Sequence, residues 1–352
     1  MNKHLEQLPI PLLEWFAQHA RTLPWRQTPE AYRVWISEIM LQQTRVQAVL
    51  DYYRHFLQVC PTVADLAALP EDKLMKLWQG LGYYSRARNL QKAARIIMDE
   101  HGGVFPRDYD AVRALPGIGD YTAGAICSIA YGLPVPAVDG NVLRVVARIT
   151  GDDTDITTTA MKKKVADELR EIIPVKAPGD FNQALMELGA LVCLPNGAPL
   201  CQQCPAAAFC AAHQNNLTDQ LPVKAAPKAR RVEERTVWLC FYDNKVAIRR
   251  RPPLGLLAGL WEFPNELTGA PCPVVGAEYP RGGGKHIFSH VEWHMKLCMV
   301  HPIDGQLPEG WVWADRNELD TVYAIPNAFD CCRPVIEENL TVHFMPEVEH
   351  YG

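Results

Sequence analysis

The sequence predicts two consecutive domains of different class, an all-α domain followed by an α+β domain. Through most of the first 212 positions, apolar residues recur at steps of three and four residues, the period of an amphipathic helix. Beyond residue 232 the pattern changes to short β-rich runs separated by turn residues. The length of 352 residues also fits two domains.

The helical pattern is divided by short segments rich in proline and glycine. Helices are predicted over 34–49, 63–78, 90–98, 121–131, 142–149, 161–173 and 181–192. Residues 213–232 are polar and carry prolines and basic residues, so they are predicted to form an interdomain linker.

The second domain begins with a predicted hairpin. Residues 236–242 and 245–250 are β-rich and are separated by Asp243 and Asn244, a pair typical of tight turns. Residues 291–300 and 311–313 are further predicted strands, and the glycine-rich segment 282–284 is predicted to be a loop.

Composition excludes several classes of protein. Hydrophobic residues make up 48 % of the chain and charged residues 21 %, which is ordinary globular usage. The net charge is −5 and neither half is basic, so binding of DNA would need a local patch. We expect no signal peptide, because residues 1–16 form a short amphipathic segment interrupted by prolines, and no apolar run is long enough to span a membrane. We therefore expect a soluble, cytoplasmic, bacterial protein.

Four of the eleven cysteines fall within eighteen residues and suggest a small lobe held by metal. Cys193, Cys201, Cys204 and Cys210 are separated by seven, two and five residues. One C-x-x-C pair flanked by single cysteines suits a 4Fe–4S cluster at least as well as zinc, and spacing alone leaves both open. The odd number of cysteines and the length of the chain argue against a secreted protein held together by disulfides.

Two glycines, Gly117 and Gly119, lie between two helical patterns. Such a turn can expose backbone N–H groups at the start of a helix and bind a phosphate. An ordinary corner between two helices explains the same residues equally well.

Two acidic residues stand out. Asp139 precedes a predicted helix, where an N-cap is the default interpretation. Glu38 shares a helical face with the apolar residues Trp35 and Leu41, so it is either paired in a structural network or functional, with a pKa raised by burial. One carboxyl in an apolar pocket and one at a polar helix N-terminus would titrate apart, as an acid and a counter-charge do.

Residues 41–45 and 80–88 place amides, aromatics and arginines at helix ends. Gln43 and Tyr83 are residues of the type that can replace a base drawn out of a DNA stack. The alternative is that the tyrosines belong to the core and the arginines to a solvated face.

Taken together, these motifs resemble the helix-hairpin-helix DNA glycosylases that carry an iron–sulfur cluster, and most closely the MutY-type adenine DNA glycosylases. That family removes adenine mispaired with 8-oxoguanine. The resemblance covers nearly the whole chain, with family motifs in order at 23–26, 34–45, 80–89, 115–123, 138–142 and 187–190. It implies an all-α helix-hairpin-helix glycosylase domain at 1–212 with a 4Fe–4S lobe at about 190–212. It also implies an α+β Nudix-like domain at 233–352 that recognises 8-oxoguanine.

The resemblance implies catalytic roles. Glu38 would protonate N7 of the flipped adenine and then act as base on water. Asp139 would stabilise the oxocarbenium-like sugar or capture it, as the carboxylate of a retaining glycosidase does. Tyr121 and Asn141 would hold Asp139, the sugar and the water. Related endonuclease III-like enzymes carry a lysine where Tyr121 stands, so base removal with little or no strand cleavage is expected.

The resemblance also implies DNA contacts. Arg26 would line the adenine pocket. Other candidate DNA contacts are Gln43, Thr44, Leu81, Tyr83, Arg86, Gly117 and Gly119. The loop that senses 8-oxoguanine would comprise His286, Phe288, Ser289 and His290.

The implied cofactor is one 4Fe–4S cluster on the four clustered cysteines, with a monovalent cation as a candidate ligand of the hairpin. The family usually has six residues between the first two of these cysteines, whereas this chain has seven. Implied partners are double-stranded DNA with A:8-oxoG or A:G pairs, bound by a monomer that is associated with the nucleoid during repair and not with a membrane.

Three other functions are less consistent with these motifs. A thymine-glycol-type glycosylase with lyase activity is disfavoured by Tyr121 and by the second domain, and a non-catalytic damage sensor would need neither Glu38 nor Asp139. A Nudix pyrophosphatase is disfavoured because 259–264 resembles a Nudix segment but no R-E-x-x-E-E helix follows.

Overall fold

The computed structural model describes residues 2–226 and 229–341, which form two compact units. The first unit comprises Met1–Ala68 and Arg88–Ala226, and the second comprises Leu69–Ala87 and Pro227–Gly352. Segment Leu69–Ala87 lies within the predicted helical domain at 1–212 but packs with the C-terminal part of the chain. Residues 227 and 228 of the predicted linker, and 342–352 of the predicted C-terminal domain, lie outside the described residues.

The described chain up to residue 226 is helical, in agreement with the predicted class. Its α-helices are α1 (Lys3–Glu6), α2 (Pro9–His19), α3 (Pro24–Gln27), α4 (Ala31–Leu41), α5 (Val46–Val59), α6 (Val63–Ala68), α7 (Glu71–Leu77), α8 (Ser85–Glu100), α9 (Tyr109–Ala114), α10 (Asp120–Tyr131), α11 (Gly140–Thr150), α12 (Thr159–Ile172), α13 (Pro178–Leu191) and α14 (Ala211–Gln214).

Two predicted helices are each divided in two. The helix predicted over 34–49 ends at Leu41, because Gln43 adopts a left-handed backbone with φ of 57° that no α-helix can contain. The helix predicted over 63–78 is interrupted before Pro70, since a proline disfavours the helical conformation of the residue that precedes it. The first break shapes the candidate site described below.

Helix α10 packs against both α4 and α13, and α11 packs against α13. Buried aliphatic residues of α11 and α13 form much of the core of this unit. This packing brings the end of α4 and the N-terminal turns of α10 and α11 to one place.

The second unit is built on a mixed sheet with helices at its C-terminal end. Its elements are β1 (Arg231–Tyr242), β2 (Lys245–Arg250), β3 (Trp261–Glu262), β4 (Asn265–Leu267), β5 (Gly276–Ile287), β6 (Val291–Pro302), β7 (Trp311–Ala314), α15 (Arg316–Thr321), a 3₁₀ helix (Asn327–Cys332) and α16 (Arg333–Asn339). The order is β3-β2-β1-β6-β5, with β4 on β1 and β7 on β2, and only β1 and β6 run parallel among these described strands.

The predicted hairpin is confirmed. Tyr242 pairs with Lys245, and Asp243 and Asn244 have φ values of 47° and 55°, the left-handed conformations that a two-residue type I′ turn requires. The predicted loop at 282–284 is instead part of β5, where the register shifts between Pro280 and Gly283.

Part of the predicted linker is packed onto the first unit. The Leu221 carbonyl accepts a hydrogen bond from Arg148 Nε at 2.7 Å, and the Val223 carbonyl accepts one from the Ile156 N–H at 3.1 Å. Strand β1 then begins at Arg231. Among the described residues, no helix combines the length and apolar character needed to cross a membrane.

Candidate active site

The two acidic residues singled out from the sequence line one cavity of the first unit. Glu38 lies near the end of α4, and Asp139 immediately precedes α11. The cavity, of about 470 Å³, is also lined by Tyr121 from the first turn of α10 and by Asn141 from the first turn of α11. The fold therefore brings together the four residues expected to carry the chemistry.

Glu38 is a buried acid, 6 % exposed. The Tyr121 hydroxyl donates a hydrogen bond to Glu38 Oε2. Burial raises the pKa of Glu38 to about 7, because the bond from Tyr121 offsets only part of the lost solvation and the charge of Asp139 raises the pKa further. A carboxyl group with this pKa can both give and take a proton near neutral pH.

Asp139 is both the N-cap of α11 and a lining residue of the cavity. Its Oδ1 accepts a hydrogen bond from the Val142 N–H at 2.8 Å, and its Oδ2 accepts one from Asn141 Nδ2 at 2.8 Å. Burial raises the pKa of Asp139 above its usual value, while these two hydrogen bonds act in the opposite direction. The N-cap interpretation and a role in the cavity are therefore compatible.

The orientation of Asn141 is determined by its neighbours. Arg144 Nη2 donates to Asn141 Oδ1 at 2.9 Å and to the Gly189 carbonyl at 2.8 Å, while its Nε donates to the Cys193 carbonyl at 2.9 Å. A Cβ placed at Gly189 would lie 2.6 Å from Asn141 Cβ, a separation that real structures do not tolerate. Glycine at this point of α13 thus permits the close approach of the start of α11.

A second cluster in the same cavity surrounds Glu187 of α13, a residue whose role is not predicted from the sequence. Glu187 accepts hydrogen bonds from Arg21 Nε at 2.7 Å and from Arg26 Nη2 at 3.0 Å, and Arg26 Nε donates to Gln183 Oε1 at 3.0 Å. Burial alone would raise the pKa of Glu187, but the two arginines outweigh it and hold the pKa at about 2. The sequence feature that could have indicated this cluster is a charged residue, Glu187, among the apolar positions of the helix predicted over 181–192.

Replacing Glu187 by Gln is expected to lower the free energy of unfolding by about 3 kcal/mol at pH 7, since the two partly buried guanidinium groups of Arg21 and Arg26 lose the counter-charge of a fully buried carboxylate. The native pKa is about 2, below the usual 4.5. The stabilising contribution of Glu187 is therefore complete above pH 4.5 and is lost as the pH falls towards 2.

Thermal unfolding measured from pH 7 to pH 3 tests this expectation. The wild-type melting temperature includes a fall between pH 4.5 and 3 that Glu187→Gln lacks. Glu171→Gln, on the exposed face of α12, is the matched control and keeps the wild-type profile. A melting temperature of Glu187→Gln equal to that of the control at pH 7 would contradict the assignment.

Gln43 and Thr44, expected at the DNA, lie in the turn between α4 and α5 and line the cavity with Arg26. Gln43 is exposed, and its φ of 57° directs the chain away from the axis of α4. The structure therefore groups Arg26, Gln43 and Thr44 with the four central residues.

Gly117 and Gly119 lie in the turn between α9 and α10 and do not line that cavity. Gly117 has a φ of 79°, and a Cβ there would lie 2.8 Å from Asn89 Cβ, so only glycine fits. Gly119 is the N-cap of α10, and Arg113 of α9 forms an ion pair with Asp120 in the first turn of α10. The two helices and their turn form a helical hairpin.

Leu81, Tyr83 and Arg86 belong to the second unit. Tyr83 is 48 % exposed, and its hydroxyl lies 2.9 Å from Ser289 Oγ. Arg86, expected among the DNA contacts, is buried instead: its Nη2 donates to the carbonyls of Leu81 at 2.7 Å and Gly82 at 3.0 Å. Its side chain braces this turn, and Leu81 is also buried.

The other residues expected in the 8-oxoguanine loop lie at the turn between β5 and β6. The Phe288 ring packs edge-on against Trp293, with ring centroids 5.0 Å apart. The centroid of the His286 ring lies 4.5 Å from that of Phe288. Ser289 and His290 are exposed at the tip. The loop thus has an aromatic base and a polar, accessible tip that includes the contact with Tyr83.

The four clustered cysteines line one cavity of the first unit. Arg148 Nη1 donates to Cys193 Sγ at 3.3 Å. Burial raises the pKa of the Cys201, Cys204 and Cys210 thiols, that of Cys204 to about 12. Within 2–226 and 229–341, no three side chains of His, Cys, Asp or Glu are placed to hold a single metal ion.

The loop 194–200 between the first two of these cysteines is closed on itself. The Leu200 N–H donates to the Val192 carbonyl at 2.9 Å, and Gly197 turns the chain with a φ of 75°. The seventh residue between Cys193 and Cys201, one more than is usual in the family, therefore lengthens a loop whose two ends are joined by a hydrogen bond.

Comparison with known proteins identifies the family. Residues 36–174 match the model of the HhH-GPD superfamily base excision DNA repair proteins. The human adenine DNA glycosylase is 38 % identical over 88 % of this chain and 70 % of its own length, and the rat enzyme is 36 % identical over 84 % and 70 %. That of Buchnera aphidicola from Baizongia pistaciae is 38 % identical over 72 % of each chain. The chain belongs to the adenine DNA glycosylase family.

Solved structures of related DNA repair enzymes share the fold of the helical domain. A thermostable thymine-DNA glycosylase covers 61 % of this chain and 98 % of its own, with a TM-score of 0.56 and 28 % identity. An endonuclease III trapped as a covalent intermediate with DNA covers 62 % and 100 %, with a TM-score of 0.51 and 26 % identity. The expected helix-hairpin-helix class is confirmed, and the chain is a DNA glycosylase of base excision repair.

The C-terminal part of this adenine DNA glycosylase matches the NUDIX domain over 236–332, which confirms the expected Nudix-like domain. Residues 265–315 are all described and contain strands and loops but no helix. Glu262, in the Nudix-like segment 259–264, is buried and forms ion pairs with Arg249 and Arg251. The acid of this segment thus stabilises the fold.

Proposed function

We propose that this adenine DNA glycosylase excises adenine paired with 8-oxoguanine, and more slowly adenine paired with guanine, from double-stranded DNA that it binds as a monomer. The observation that carries the proposal is a pair of carboxyl groups in one cavity, that of the buried Glu38 and that of the partly buried Asp139. A carboxyl of raised pKa beside a hydrogen-bonded carboxylate is the arrangement by which glycosidases divide acid and counter-charge between two residues.

Glu38 acts first as the general acid. Its proton passes to N7 of the flipped adenine, so that the glycosidic bond breaks with both bonding electrons on a neutral leaving base. The resulting carboxylate then takes a proton from the attacking water. A pKa of about 7 for Glu38 supports both steps, since neither protonation state is costly near neutral pH.

Asp139 stabilises the positive charge that develops on the sugar, or captures it in a transient covalent bond. Its two hydrogen bonds, from the Val142 N–H and from Asn141, support this role because they hold the carboxylate at one place. Arg144 supports Asn141 in turn. Arg26, oriented by Glu187, lines the adenine pocket together with Gln183.

Tyr121 makes the reaction monofunctional. A phenol cannot form the imine through which a lysine cleaves the DNA strand after base removal. The hydrogen bond from Tyr121 to Glu38 supports a different use for this position, the orientation of the catalytic acid.

The rest of the proposed DNA interface follows from the family resemblance, and most of its residues are exposed, although Leu81 is buried. Gln43 and Tyr83 fill the emptied stack, with Thr44 and Leu81 near the orphaned base. Ser289 and His290, at the tip of the loop built on His286 and Phe288, read the oxidised base. The hairpin at Gly117 and Gly119 binds backbone phosphate through its N–H groups, with a monovalent cation on its carbonyls.

We further propose that the four clustered cysteines hold one 4Fe–4S cluster. Each cysteine of such a cluster binds a different iron, so the four sulfurs surround a cavity without converging on one point. Zinc would need all four sulfurs within about 4 Å of one another. Four thiols around one cavity, with Arg148 beside Cys193, fit the cluster as a donor set. When bound, it crosslinks the end of α13 to the start of α14.

Metal analysis tests the cofactor. The purified chain should contain about four irons and four acid-labile sulfides. Cys204→Ser should lose most of them, whereas Cys60→Ser, at a buried cysteine outside the lobe, should keep them. One zinc per chain without sulfide would contradict the proposal.

The function itself is tested with duplexes that carry one A:8-oxoG or one A:G pair, labelled on the adenine strand. Strand breaks only after hot alkali are expected, because the enzyme removes the base and leaves the backbone intact. Breaks without alkali, or trapping by borohydride, would overturn the role of Tyr121. No break in either case would overturn adenine excision.

A further inference from the structure

The segment Leu69–Ala87 belongs to the second unit, although in the sequence it lies between the two stretches of the first. It consists of α7, the turn that carries Leu81 and Tyr83, and the start of α8. The turn has an unusual backbone: Gly80, Gly82 and Tyr83 have φ values of 103°, 68° and 48°. A tyrosine with positive φ is strained, so the surrounding contacts must hold it there.

Lys76, at the end of α7, is attached to the C-terminal part of the unit. Its Nζ donates to the Leu319 carbonyl of α15 at 2.8 Å, to the Tyr323 carbonyl at 3.2 Å and to Gln79 Oε1 at 2.7 Å. These three acceptors match the three protons of an ammonium group. The half-buried lysine is thus committed to this contact.

Gln79 continues the attachment towards the turn. Its Oε1 accepts from Lys76, which leaves its amide group to donate from Nε2 to the Ile325 carbonyl at 2.8 Å. The next residue, Gly80, is the first of the turn, and its carbonyl lies 3.5 Å from Asn327 Nδ2. The segment from Lys76 to Gly80 is therefore held against residues 319–327 by hydrogen bonds.

The far end of the turn meets the β5–β6 loop, where the Tyr83 hydroxyl lies 2.9 Å from Ser289 Oγ. The turn is consequently held at both ends within one unit. Lys76 and Gln79 hold its beginning, and Ser289 contacts its end.

We propose that Lys76 and Gln79 are positioning residues for discrimination of the base opposite adenine, because they dock the turn 80–84 so that Tyr83 reaches Ser289. This inference rests on the proposed function. The two residues touch no substrate; they act through Tyr83. Loss of their contacts releases a strained turn and separates the Tyr83 hydroxyl from the sensing loop.

The test is Lys76→Met, which keeps the length of the side chain and removes its three hydrogen bonds. The single-turnover excision rate is measured on A:8-oxoG and on A:G duplexes, and the readout is the ratio of the two rates. We expect this ratio to fall about tenfold, with the A:G rate changed less than about threefold. Lys73→Met, which removes an exposed lysine from the same helix, is the control and keeps the wild-type ratio.

A double-mutant cycle separates positioning from general destabilisation. If Lys76 acts through the Tyr83 hydroxyl, Lys76→Met combined with Tyr83→Phe lowers the ratio no further than the more severe single variant. Additive effects on the ratio would overturn the proposal.

A milder variant covers the case in which Lys76→Met fails to fold. Gln79→Glu keeps an acceptor for Lys76 and loses the donor to Ile325, and it is expected to lower the same ratio. An unchanged ratio in folded Lys76→Met, or in Gln79→Glu, refutes the inference while adenine excision stands. Failure of the proposed function is recognised separately, as wild-type protein that excises adenine from neither duplex.

Discussion

Replacing Glu38 by Gln is expected to lower the single-turnover rate of adenine excision by at least about 10²–10⁴-fold, the usual contribution of a general acid. Glutamine has nearly the shape of glutamate and accepts the hydrogen bond from Tyr121, but it has no proton of suitable acidity for the base. Since the change leaves the proposed DNA contacts intact, binding of an A:8-oxoG duplex should be within about threefold of wild type.

Rates are measured by alkali-dependent strand cleavage and binding by gel shift. Glu30→Gln, at the exposed start of the same helix, is the matched control and should retain wild-type turnover. In the wild type the rate should decline as the pH rises above about 7, because the protonated form of Glu38 is the active acid. Full turnover by Glu38→Gln would refute the assignment of the acid.

Asp139→Asn is expected to reduce excision by about 10²–10³-fold with little loss of stability. Asparagine is as good an N-cap as aspartate, so Oδ1 can still accept from the Val142 N–H and maintain α11. Only the negative charge is lost, together with the acceptor for Asn141. The variant thus separates the structural role of Asp139 from its chemical one.

Turnover and thermal unfolding are measured together on the same preparation. The control is Asp108→Asn, the corresponding substitution at the exposed N-cap of α9, which should change neither quantity. If Asp139→Asn keeps its activity, the carboxylate is an N-cap and nothing more. If it loses activity only in proportion to unfolding, the charge has no role in the reaction.

Local chemistry explains which parts of the molecule were predictable. The class of each domain, the turn at Asp243 and Asn244, and the capping position of Asp139 depend on residues close in sequence. Periodicity alone could not place the breaks inside 34–49 and 63–78. The first depends on a left-handed residue, and the second on a single proline whose effect the apolar pattern conceals.

By itself the sequence determined the two domain classes, the family motifs and the residue types able to carry the chemistry, because helix period, turn residues and cysteine spacing are local properties. The tertiary structure alone decided which of those residues meet and how deeply each is buried. Tyr121 reaches Glu38 across 83 positions, and Arg21 reaches Glu187 across 166. The pKa of a carboxyl and the burial of Arg86 depend on what packs around them, and packing joins segments far apart in the chain.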